Sequence, residues 1–531
     1  MLYSYCKKRR FLLYFIQYFM LRKKTRKEDI IMKKQMIRCA SFMLAALMAV
    51  PTFASCGGDT SAATDTQAAT EAQTEVETLD PNDRSLVKDT LPDNLDFGGR
   101  TFGVYCSSTK RNEEFFAGLG EETGEVVEDA VYRRNLSVQE RLNIVFQSDS
   151  YDYGWKDIGG EIQKLVMAGD TTYDLFMGAQ AGVTQLVTEN VFINAYDLEY
   201  IDFSQPWWNN NFMDELSVGS DYRFYLSGDF FMDALYWTRA LFFNKKLYAD
   251  YYDNADELYQ EVLAGKWTLD RMTQIAKDVY IDLNNNGVSD ADDQLGLGTY
   301  LTMSSTDAFV YGSDVVFTTR DADGFIELSM MSDDAITLAE KVVNLFYQAG
   351  TYFNFDGDAP NQNVFIEGRM MFLGNSNLGA AKALRDMKDD FGILPYPKFD
   401  EEQAEYKNLV HDSNLLGGIS AASQNLDMVG ACLEALSAET YRYVTPAWYE
   451  TALKVKYSRD DLSSQMIDLI KDSATTNFIY AYNYAINGMG LIYRDLVTKN
   501  NKDFASAVKS KEKAGLKQLE KVLDVFRGIE G

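Results

Sequence analysis

Oxygen-bearing side chains recur at fixed intervals in one twelve-residue stretch of this chain, residues 282–293. The polar residues at its positions one, three, five, nine and twelve are Asp282, Asn284, Asn286, Asp290 and Asp293. Gly287 at position six suits a sharp turn, and Val288 at position seven offers its carbonyl oxygen. This is the spacing of an EF-hand loop, and Ca²⁺ prefers such hard oxygen ligands. The pattern predicts a structural calcium site; the alternative is an acidic, glycine-containing turn.

Side chains suited to catalysis are sparse. His411 is the only histidine, which excludes a histidine-based triad and a multi-histidine zinc site. Neither a Gly-x-Ser-x-Gly elbow nor a phosphate-binding glycine loop stands out. Carboxylates are numerous enough to leave a glycosidase pair open. We therefore expect a protein that is not an enzyme.

Length and charge narrow the class of protein further. The 531 residues fit two lobes better than one ordinary domain. A formal net charge of -28 argues against nucleic acid as a partner, because the field of the protein would repel phosphate. Five cysteines make no disulfide framework, and Cys106 with Cys432 can be either two thiols or one bridge.

The first 96 residues predict export and anchoring. Residues 32–55 have a basic start, a short apolar run and small residues before Cys56, as in a signal peptide. This stretch resembles the lipobox of bacterial lipoproteins, which implies that Cys56 carries lipid; an uncleaved anchor or a plain signal peptide is the alternative. Residues 56–96 are polar and predict a disordered tether. Residues 1–31 are interpreted as an extension upstream of a true start at Met32.

These segments would position a folded α/β region that begins near Phe97. A first strand is predicted at 100–106, a helix at 126–142, a second strand at 143–147 and a third at 174–177. From about residue 241 helices dominate, with strand-like pieces at 370–373 and 392–395. Strands that alternate with helices predict a sheet that holds its ligand near the carboxyl ends of the strands.

Several short stretches then suggest a family. They are 122–135 (ETGEVVEDAVYRRN), 173–176 (YDLF), 195–198 (AYDL), 206–208 (PWW), 242–247 (FFNKKL), 267–270 (WTLD), 365–371 (FIEGRMM) and 391–397 (FGILPYP). In this order and spacing the chain resembles the extracellular solute-binding proteins (family 1-like) of carbohydrate ABC transporters, over nearly all of residues 97–500.

The resemblance implies a two-lobed, periplasmic-binding-protein-like (type II) fold with a helix-rich second lobe. Lobe 1 would comprise residues 97–230 and 395–440, and lobe 2 residues 231–394 and 441–531. The chain would cross between lobes near 229–233, near Leu394 and near 439–443. In this family the lobes close over the ligand, which favours the state that offers both walls.

The resemblance and the chemistry of sugars together select candidate ligand-binding residues. Sugars present apolar faces and a rim of hydroxyls, and so call for aromatic rings and paired donors and acceptors. Six side chains are predicted to face the cleft: Gln180, Trp237, Asn375, Asn377, Trp448 and Tyr449. Trp207 and Trp208 are assigned to packing.

The expected function is therefore capture of a mono- or oligosaccharide by a monomer and its delivery to ABC permease subunits. The protein would stay at the cell surface, lipid-anchored to the outer face of the cytoplasmic membrane. Two alternatives stay open: a secreted glycan-active hydrolase, and a surface glycan-binding protein that serves no transporter. Turnover of oligosaccharides would identify the first alternative, and the lack of a coupled permease the second.

Overall fold

A computed structural model of the chain describes residues 84–152, 154, 157–219, 221–300, 305–354, 359–384, 387–449 and 461–528. Residues 1–83 lie outside the described residues, and with them the predicted signal peptide, the lipid site at Cys56 and most of the tether. Residues Leu79–Gly531 belong to one compact unit.

The strands form two main sheets and two short pairs. In chain order they are β1 (Arg100–Cys106), β2 (Ile144–Ser150), β3 (Leu175–Ala179), β4 (Arg239–Asn244), β5 (Leu295–Tyr300), β6 (Thr318–Arg320), β7 (Ile326–Leu328), β8 (Thr351–Asn354), β9 (Met370–Asn377), β10 (Phe391–Leu394), β11 (Asn408–Leu409), β12 (Leu415–Ile419) and β13 (Ala474–Thr475). The first sheet has the order β12-β3-β1-β2 and the second β10-β4-β9-β5-β8.

The first sheet is parallel except at one edge. β1 pairs in parallel with β2 and with β3, where Val104 lies opposite Leu175, whereas β12 runs antiparallel to β3. The inner strands are apolar and buried along almost their whole length, as expected for a sheet covered on both faces. Parallel strands place their carboxyl ends at one edge, so β1 and β3 end on the same side of the sheet.

The second sheet is mixed. β4 runs antiparallel to β9 and β10, while β5 is parallel to β8 and β9. The pairing of β4 with β9 shifts register between Ala240 and Phe242. Asn375 lies in this irregular part with a φ of 54°, a left-handed conformation that asparagine tolerates better than most residues.

Helices cover both sheets. They are α1 (Thr109–Arg111), α2 (Val126–Leu142), α3 (Ile158–Met167), α4 (Gln180–Val183), α5 (Asn210–Leu216), α6 (Asp233–Trp237), α7 (Lys245–Tyr252), α8 (Asp256–Leu263), α9 (Leu269–Asp278), α10 (Ser305–Tyr311), α11 (Asp333–Tyr347), α12 (Ala359–Ile366), α13 (Ala381–Leu384), α14 (Leu426–Glu439), α15 (Asp461–Asp472), α16 (Phe478–Ala481), α17 (Ile492–Thr498) and α18 (Phe504–Phe526). π-Helical turns occur at Asn112–Phe116, at Thr440–Val444 and again at 447–449. None of the helices in the described ranges is long and apolar enough to cross a bilayer.

The chain passes between the sheets at places that partly differ from the prediction. Leu226 still pairs with Gly417 of the first sheet, and β4 starts at Arg239 in the second, so the first crossing lies between these residues and runs through α6. The second was expected near Leu394, but Lys398 pairs with Thr268 and β11 pairs with β13. Because these partners belong to the second sheet's side, the chain crosses only between Val410 and Leu415.

The third crossing also comes later than the expected 439–443. The π-turn Thr440–Val444 packs against α2, and Trp448 lies edge-to-face with Phe115, both on the side of the first sheet. The next described element, α15, packs against β10 of the second sheet. The continuous helical run from α14 keeps residues up to Tyr449 with the first lobe.

The N-terminal end of the folded region corrects another prediction. The tether was predicted to reach residue 96, yet residues from Arg84 onward are packed. Leu91 and Phe97 are buried, and the carboxylate of Asp89 lies 2.7 Å from Arg141 and 3.4 Å from Arg442. Two apolar anchors and a carboxylate held by two guanidinium groups bind this polar segment to the fold, a contribution that composition alone did not reveal.

Cys106 and Cys432 are two free, buried thiols. The sequence had left a bridge between them open. Burial raises the pKa of the Cys106 thiol to about 12, which keeps it protonated and unreactive at neutral pH.

Candidate functional site

Polar side chains from both sheets meet where the chain makes its first two crossings. We call the residues at this junction the interlobe cluster: Arg111, Gln180, Asp233, Trp237, Asn377, His411, Asp412 and Asn414. Gln180 opens α4 directly after β3, and Asn377 ends β9 beside Arg239, its partner at the start of β4. The cluster therefore lies at the carboxyl ends of β3 and β9, where open α/β sheets bind ligands.

Gln180 and Asn414 hold each other across the second crossing. The Gln180 backbone N–H donates to the Asn414 carbonyl at 2.8 Å, and the Asn414 amide donates to Gln180 Oε1 at 3.0 Å. The same Asn414 amide reaches the His411 carbonyl at 3.1 Å. Gln180 Nε2 and Asn414 Oδ1 are then left buried without a protein partner. Such orphaned groups are rare in native interiors and costly.

Trp237 brings a further unmet donor to the cluster. The guanidinium of Arg111 lies 5.5 Å from the centre of its ring, and the imidazole of His411 lies 5.3 Å away, tilted by 32°. Trp237 Nε1 is buried and has no partner, and Asn377 Oδ1 is a buried acceptor in the same condition.

An ion pair between Arg111 of the first lobe and Asp233 of the first crossing holds both crossings in place. Arg111 Nη1 lies 2.5 Å from Asp233 Oδ2 and donates to the Ser413 carbonyl at 2.8 Å. The backbone N–H of Leu415 donates to the same Asp233 oxygen at 2.6 Å. Burial raises the pKa of Asp233 to about 6, although Arg111 opposes this shift. The other carboxylate oxygen, Asp233 Oδ1, has no partner.

His411 is neutral in this environment. Its Nδ1 accepts the backbone N–H of Ser413 at 2.9 Å, so the ring proton belongs on Nε2. Burial lowers the His411 pKa well below its usual value, and the positive charges of Arg239, Arg494 and Arg111 lower it further. The Asp412 carboxylate 3.3 Å from Nδ1 is therefore a close contact between acceptors and not an ion pair.

Asp412 is held from the second lobe instead. Arg494 of α17 forms an ion pair with the buried Asp307 and lies 3.4 Å from Asp412 Oδ2. The Tyr480 hydroxyl accepts the backbone N–H of Asp412 at 2.9 Å. Burial raises the pKa of Asp412, with Arg494 opposing. The short segment 411–415 is thus gripped by Arg111 and Asp233 on one side and by Arg494 on the other.

The unmet groups of the cluster define what it can bind. Gln180 Nε2 and Trp237 Nε1 donate, while Asn377 Oδ1, Asn414 Oδ1 and Asp233 Oδ1 accept. Amide nitrogen and oxygen interchange by rotation of the side chain, so the amides can present either group. A ligand that satisfies this set must both donate and accept at several points. Hydroxyl groups do so, because each has one donor and two acceptor sites.

The predicted ligand-binding residues divide into two groups. Gln180, Trp237 and Asn377 lie in the interlobe cluster, and Asn375 lies two residues earlier on β9. The structure does not bring Trp448 and Tyr449 to the cluster: Trp448 packs on Phe115, and the Tyr449 hydroxyl bonds to Asp468. Both are buried, which fits packing and not a stacking wall.

Sequence reasoning missed Arg111, Asp233, His411, Asp412 and Asn414. The signal for three of them was visible, since residues 411–414 (HDSN) form a polar run between apolar segments and include the only histidine. Nothing in the local pattern marks Arg111 or Asp233. Trp208 is a packing residue as expected, with its indole N–H on Glu434 at 3.0 Å.

The twelve-residue loop 282–293 has converging polar side chains. The amides of Asn284 and Asn286 both donate to Asp290, at 3.1 and 2.6 Å, and Asp282 Oδ2 accepts the Gly287 backbone N–H at 2.9 Å. Asp293 instead accepts the backbone N–H groups of Leu283 and Asp290. Accordingly, no three His, Cys, Asp or Glu side chains form a metal-binding group within the described ranges. A cation here would have to use the amide and carbonyl oxygens as well.

Comparison with protein-family models finds no match, and comparison with curated proteins finds none either. Solved structures do match. One is an ABC transporter solute-binding protein from Thermotoga lettingae bound with α-D-tagatose, at 13% identity and a TM-score of 0.50, covering 79% of this chain and 100% of that one. Another is the galacto-N-biose-/lacto-N-biose I-binding protein of the ABC transporter from Bifidobacterium longum, in complex with lacto-N-biose, at 10% identity and 0.52, covering 80% and 98%.

A third is the cyclo/maltodextrin-binding protein complexed with maltotetraose, at 13% identity and a TM-score of 0.51, covering 81% of this chain and 97% of that one. At such identities the likeness shows the fold. The predicted mixed α/β, type II periplasmic-binding-protein-like fold is therefore confirmed.

Proposed function

We propose that this chain is the extracellular substrate-binding component of an ABC importer, which captures a mono- or oligosaccharide between its lobes and delivers it to a membrane permease. The observation that carries the proposal is the set of orphaned donors and acceptors at the junction of the two sheets. Hydroxyl groups match that set, and the solved proteins of the same fold include ones bound to tagatose, lacto-N-biose and maltotetraose.

Lobe closure follows from the way the cluster is divided. Gln180 belongs to the first lobe, Asn377 to the second, and His411–Asn414 to a segment between them. A ligand that bonds to all three favours the closed state, because only that state offers every partner at once. Each hydrogen bond to the ligand then stabilises the closed state relative to the open state.

The interlobe cluster favours binding of a sugar over its hydrolysis. Its carboxylates are already engaged by arginines: Asp233 by Arg111, and Asp412 with Asp307 by Arg494. The hydrolase alternative requires two carboxyl groups that flank a sugar bond. Incubation with oligosaccharides separates the two functions, since a hydrolase releases products and a binding protein returns its ligand unchanged.

The test of the proposal is a thermal-shift screen over a panel of sugars, followed by calorimetric titration of the sugar that raises the melting temperature most. Gln180→Ala removes one orphaned donor and one partner of Asn414. We expect it to weaken binding of that sugar at least tenfold. Gln185→Ala, an exposed change in the same short helical stretch, is the matched control and should bind normally. A panel with no hit, or equal affinity for both variants, would refute the proposal.

The cellular setting is proposed from the N-terminal sequence. Processing before Cys56 and lipid attachment there would hold the monomeric binding protein at the outer face of the cytoplasmic membrane, within reach of permease subunits. Metabolic labelling with a fatty-acid analogue tests this, and Cys56→Ser should abolish both the label and membrane retention. A labelled Cys56→Ser protein would contradict lipidation at this residue.

Loop 282–293 is proposed to hold Ca²⁺ as a structural clip. The support is the ligand spacing together with the convergence of Asn284 and Asn286 on Asp290, where a cation would replace the amide protons after rotation of the amides. We expect calcium to raise the melting temperature of the wild type relative to a chelator, and Asp282→Ala to abolish that difference. Equal calcium dependence in Asp282→Ala, or none in the wild type, would remove the proposal.

A further inference from the structure

A cavity lies beside helix α6, the helix that also carries Asp233 and Trp237 of the interlobe cluster. It has a volume of about 220 Å³, and its walls include Trp207, Asp229, Leu235, Tyr441, Thr445 and Lys471. Asp233 and Trp237, four residues apart on α6, contribute to the cluster, whereas Ala234 and Leu235 line the cavity. The cavity is bordered by the first crossing, the π-turn Thr440–Val444 and the end of α15, so both lobes contribute to its wall.

Asp229 is the polar centre of this cavity. Its Oδ2 accepts a hydrogen bond from the Thr445 hydroxyl at 3.0 Å. Surrounding atoms bury the carboxyl group and raise its pKa to about 6, which the charges of Arg84 and Lys471 oppose. Asp229 nevertheless keeps accessible surface, because it borders the cavity. No step of the proposed sugar capture uses this buried acid.

Aromatic rings form another part of the wall. The Trp207 and Tyr441 rings lie 6.0 Å apart at an angle of 59°, and the guanidinium of Arg84 lies 5.0 Å from the Tyr441 ring centre. The cavity thus combines an acceptor at Asp229, a donor at Lys471 and apolar faces from two rings. This combination is distinct from the amide-rich interlobe cluster.

We infer that this hinge cavity is a second binding site, which takes a small, uncharged, hydroxyl-bearing molecule about the size of one sugar ring or a short polyol. A hydroxyl can donate to Asp229 and accept from Lys471, and C–H groups can contact the half-buried Tyr441 ring. An anionic ligand would meet the Asp229 carboxylate, and a cationic one would meet Arg84 and Lys471.

Erythritol and D-glucose are suitable probes, with hydrogen exchange followed over residues 227–235 and 441–445. Each probe should protect these segments in the full-length wild-type protein. Asp229→Asn keeps the shape and removes the charge, while Ala474→Leu fills part of the cavity. In both variants, the probe concentration that gives half-maximal protection should rise at least tenfold. Sugar affinity at the cluster should stay measurable in both.

Gln180→Ala separates this inference from the proposed sugar capture. Protection of the hinge segments by erythritol should persist in Gln180→Ala even if that variant binds no sugar at the cluster. The inference of a hinge site would hold even if the wild type bound no sugar at the cluster. The inference is overturned if neither probe protects residues 227–235, or if Asp229→Asn and Ala474→Leu, with normal melting temperatures, respond to the probes as the wild type does.

Discussion

At the scale of single residues, the interlobe cluster is marked by buried polar atoms that lack a partner within the protein. Buried polar atoms normally find partners, because each orphan costs about 1–3 kcal/mol. Here several orphans gather within one junction, at Gln180, Trp237, Asn377 and Asn414. A concentration of such costs in one place is expected where a ligand supplies the missing partners.

Glu434 yields a prediction about pH at the same scale. Burial within α14 raises the pKa of its carboxyl from 4.5 to about 7, although Trp208 Nε1 and the Asp202 backbone N–H donate to it. The folded state therefore binds this proton more tightly than the unfolded state. The contribution of Glu434 to the free energy of unfolding is full below pH 4.5 and declines as pH rises through 7.

Glu434→Gln should accordingly flatten the fall in unfolding free energy between about pH 5 and 8, measured by urea denaturation at several pH values. Glu257→Gln changes an exposed glutamate of α8 in the same way and should keep the wild-type profile. A Glu434→Gln profile as steep as that of the wild type would show that this carboxyl does not titrate in the expected range.

At the scale of elements, glycines allow helices to lie unusually close to their neighbours. A Cβ added to Gly430 of α14 would lie 1.9 Å from the backbone carbonyl oxygen of Glu199. In α3, by contrast, a Cβ on Gly160 would have no atom within 4 Å. The two glycines are both helical, but only Gly430 is required by packing.

Two substitutions to alanine test this difference. Gly430→Ala should lower the free energy of unfolding by about 1–3 kcal/mol, the usual cost of overpacking. Gly160→Ala should raise it by about 0.5–1 kcal/mol, because alanine loses less backbone entropy in a helix. Equal effects of both changes in urea denaturation would contradict the close approach of α14 to Glu199.

Segment 411–415 is the element that connects the two lobes most directly. Arg111 of the first lobe holds it through Ser413, Asp233 of the first crossing holds it through Leu415, and Arg494 of the second lobe holds it through Asp412. His411 and Asn414 on the same segment belong to the interlobe cluster. A ligand that bonds to these two residues therefore acts on a segment that both lobes already grip.

At the scale of the whole molecule, we expect the two lobes to move closer together when the sugar binds, by an amount that can be measured. Val145 on β2 and Leu263 at the end of α8 are exposed and belong to different lobes. Fluorophores attached through an azide-bearing amino acid at both positions would report their separation without labelling cysteines. Saturation with the sugar found by screening should narrow the distance distribution and shift it toward the closed state.

The Gln180→Ala protein with the same two labels is the control, and its distances should not respond to that sugar at the same concentration. If the wild-type distances were also unaffected at saturation, lobe closure as the means of capture would be wrong. This outcome would leave binding itself, measured by calorimetry, as a separate result.

The sequence by itself determined the features that depend on local pattern. Apolar runs bounded by turn residues predicted β1, β3 and β10, and helical spacing predicted α2, because periodicity depends only on neighbouring residues. The motif order led to the family resemblance and through it to the two-lobed fold, and the resemblance together with the chemistry of sugars led to Gln180 and Asn377. The predictions for residues 1–83 and for calcium remain sequence predictions.

Only the tertiary structure decided which distant residues meet. Arg111 and Asp233 are 122 residues apart in the chain, and nothing local announces their ion pair. The delayed second crossing, the packing of residues 84–97 and the interior place of Trp448 and Tyr449 likewise depend on long-range contacts. Burial and partnership are properties of the assembled fold, so residue type alone could not tell a stacking tryptophan from a packing one.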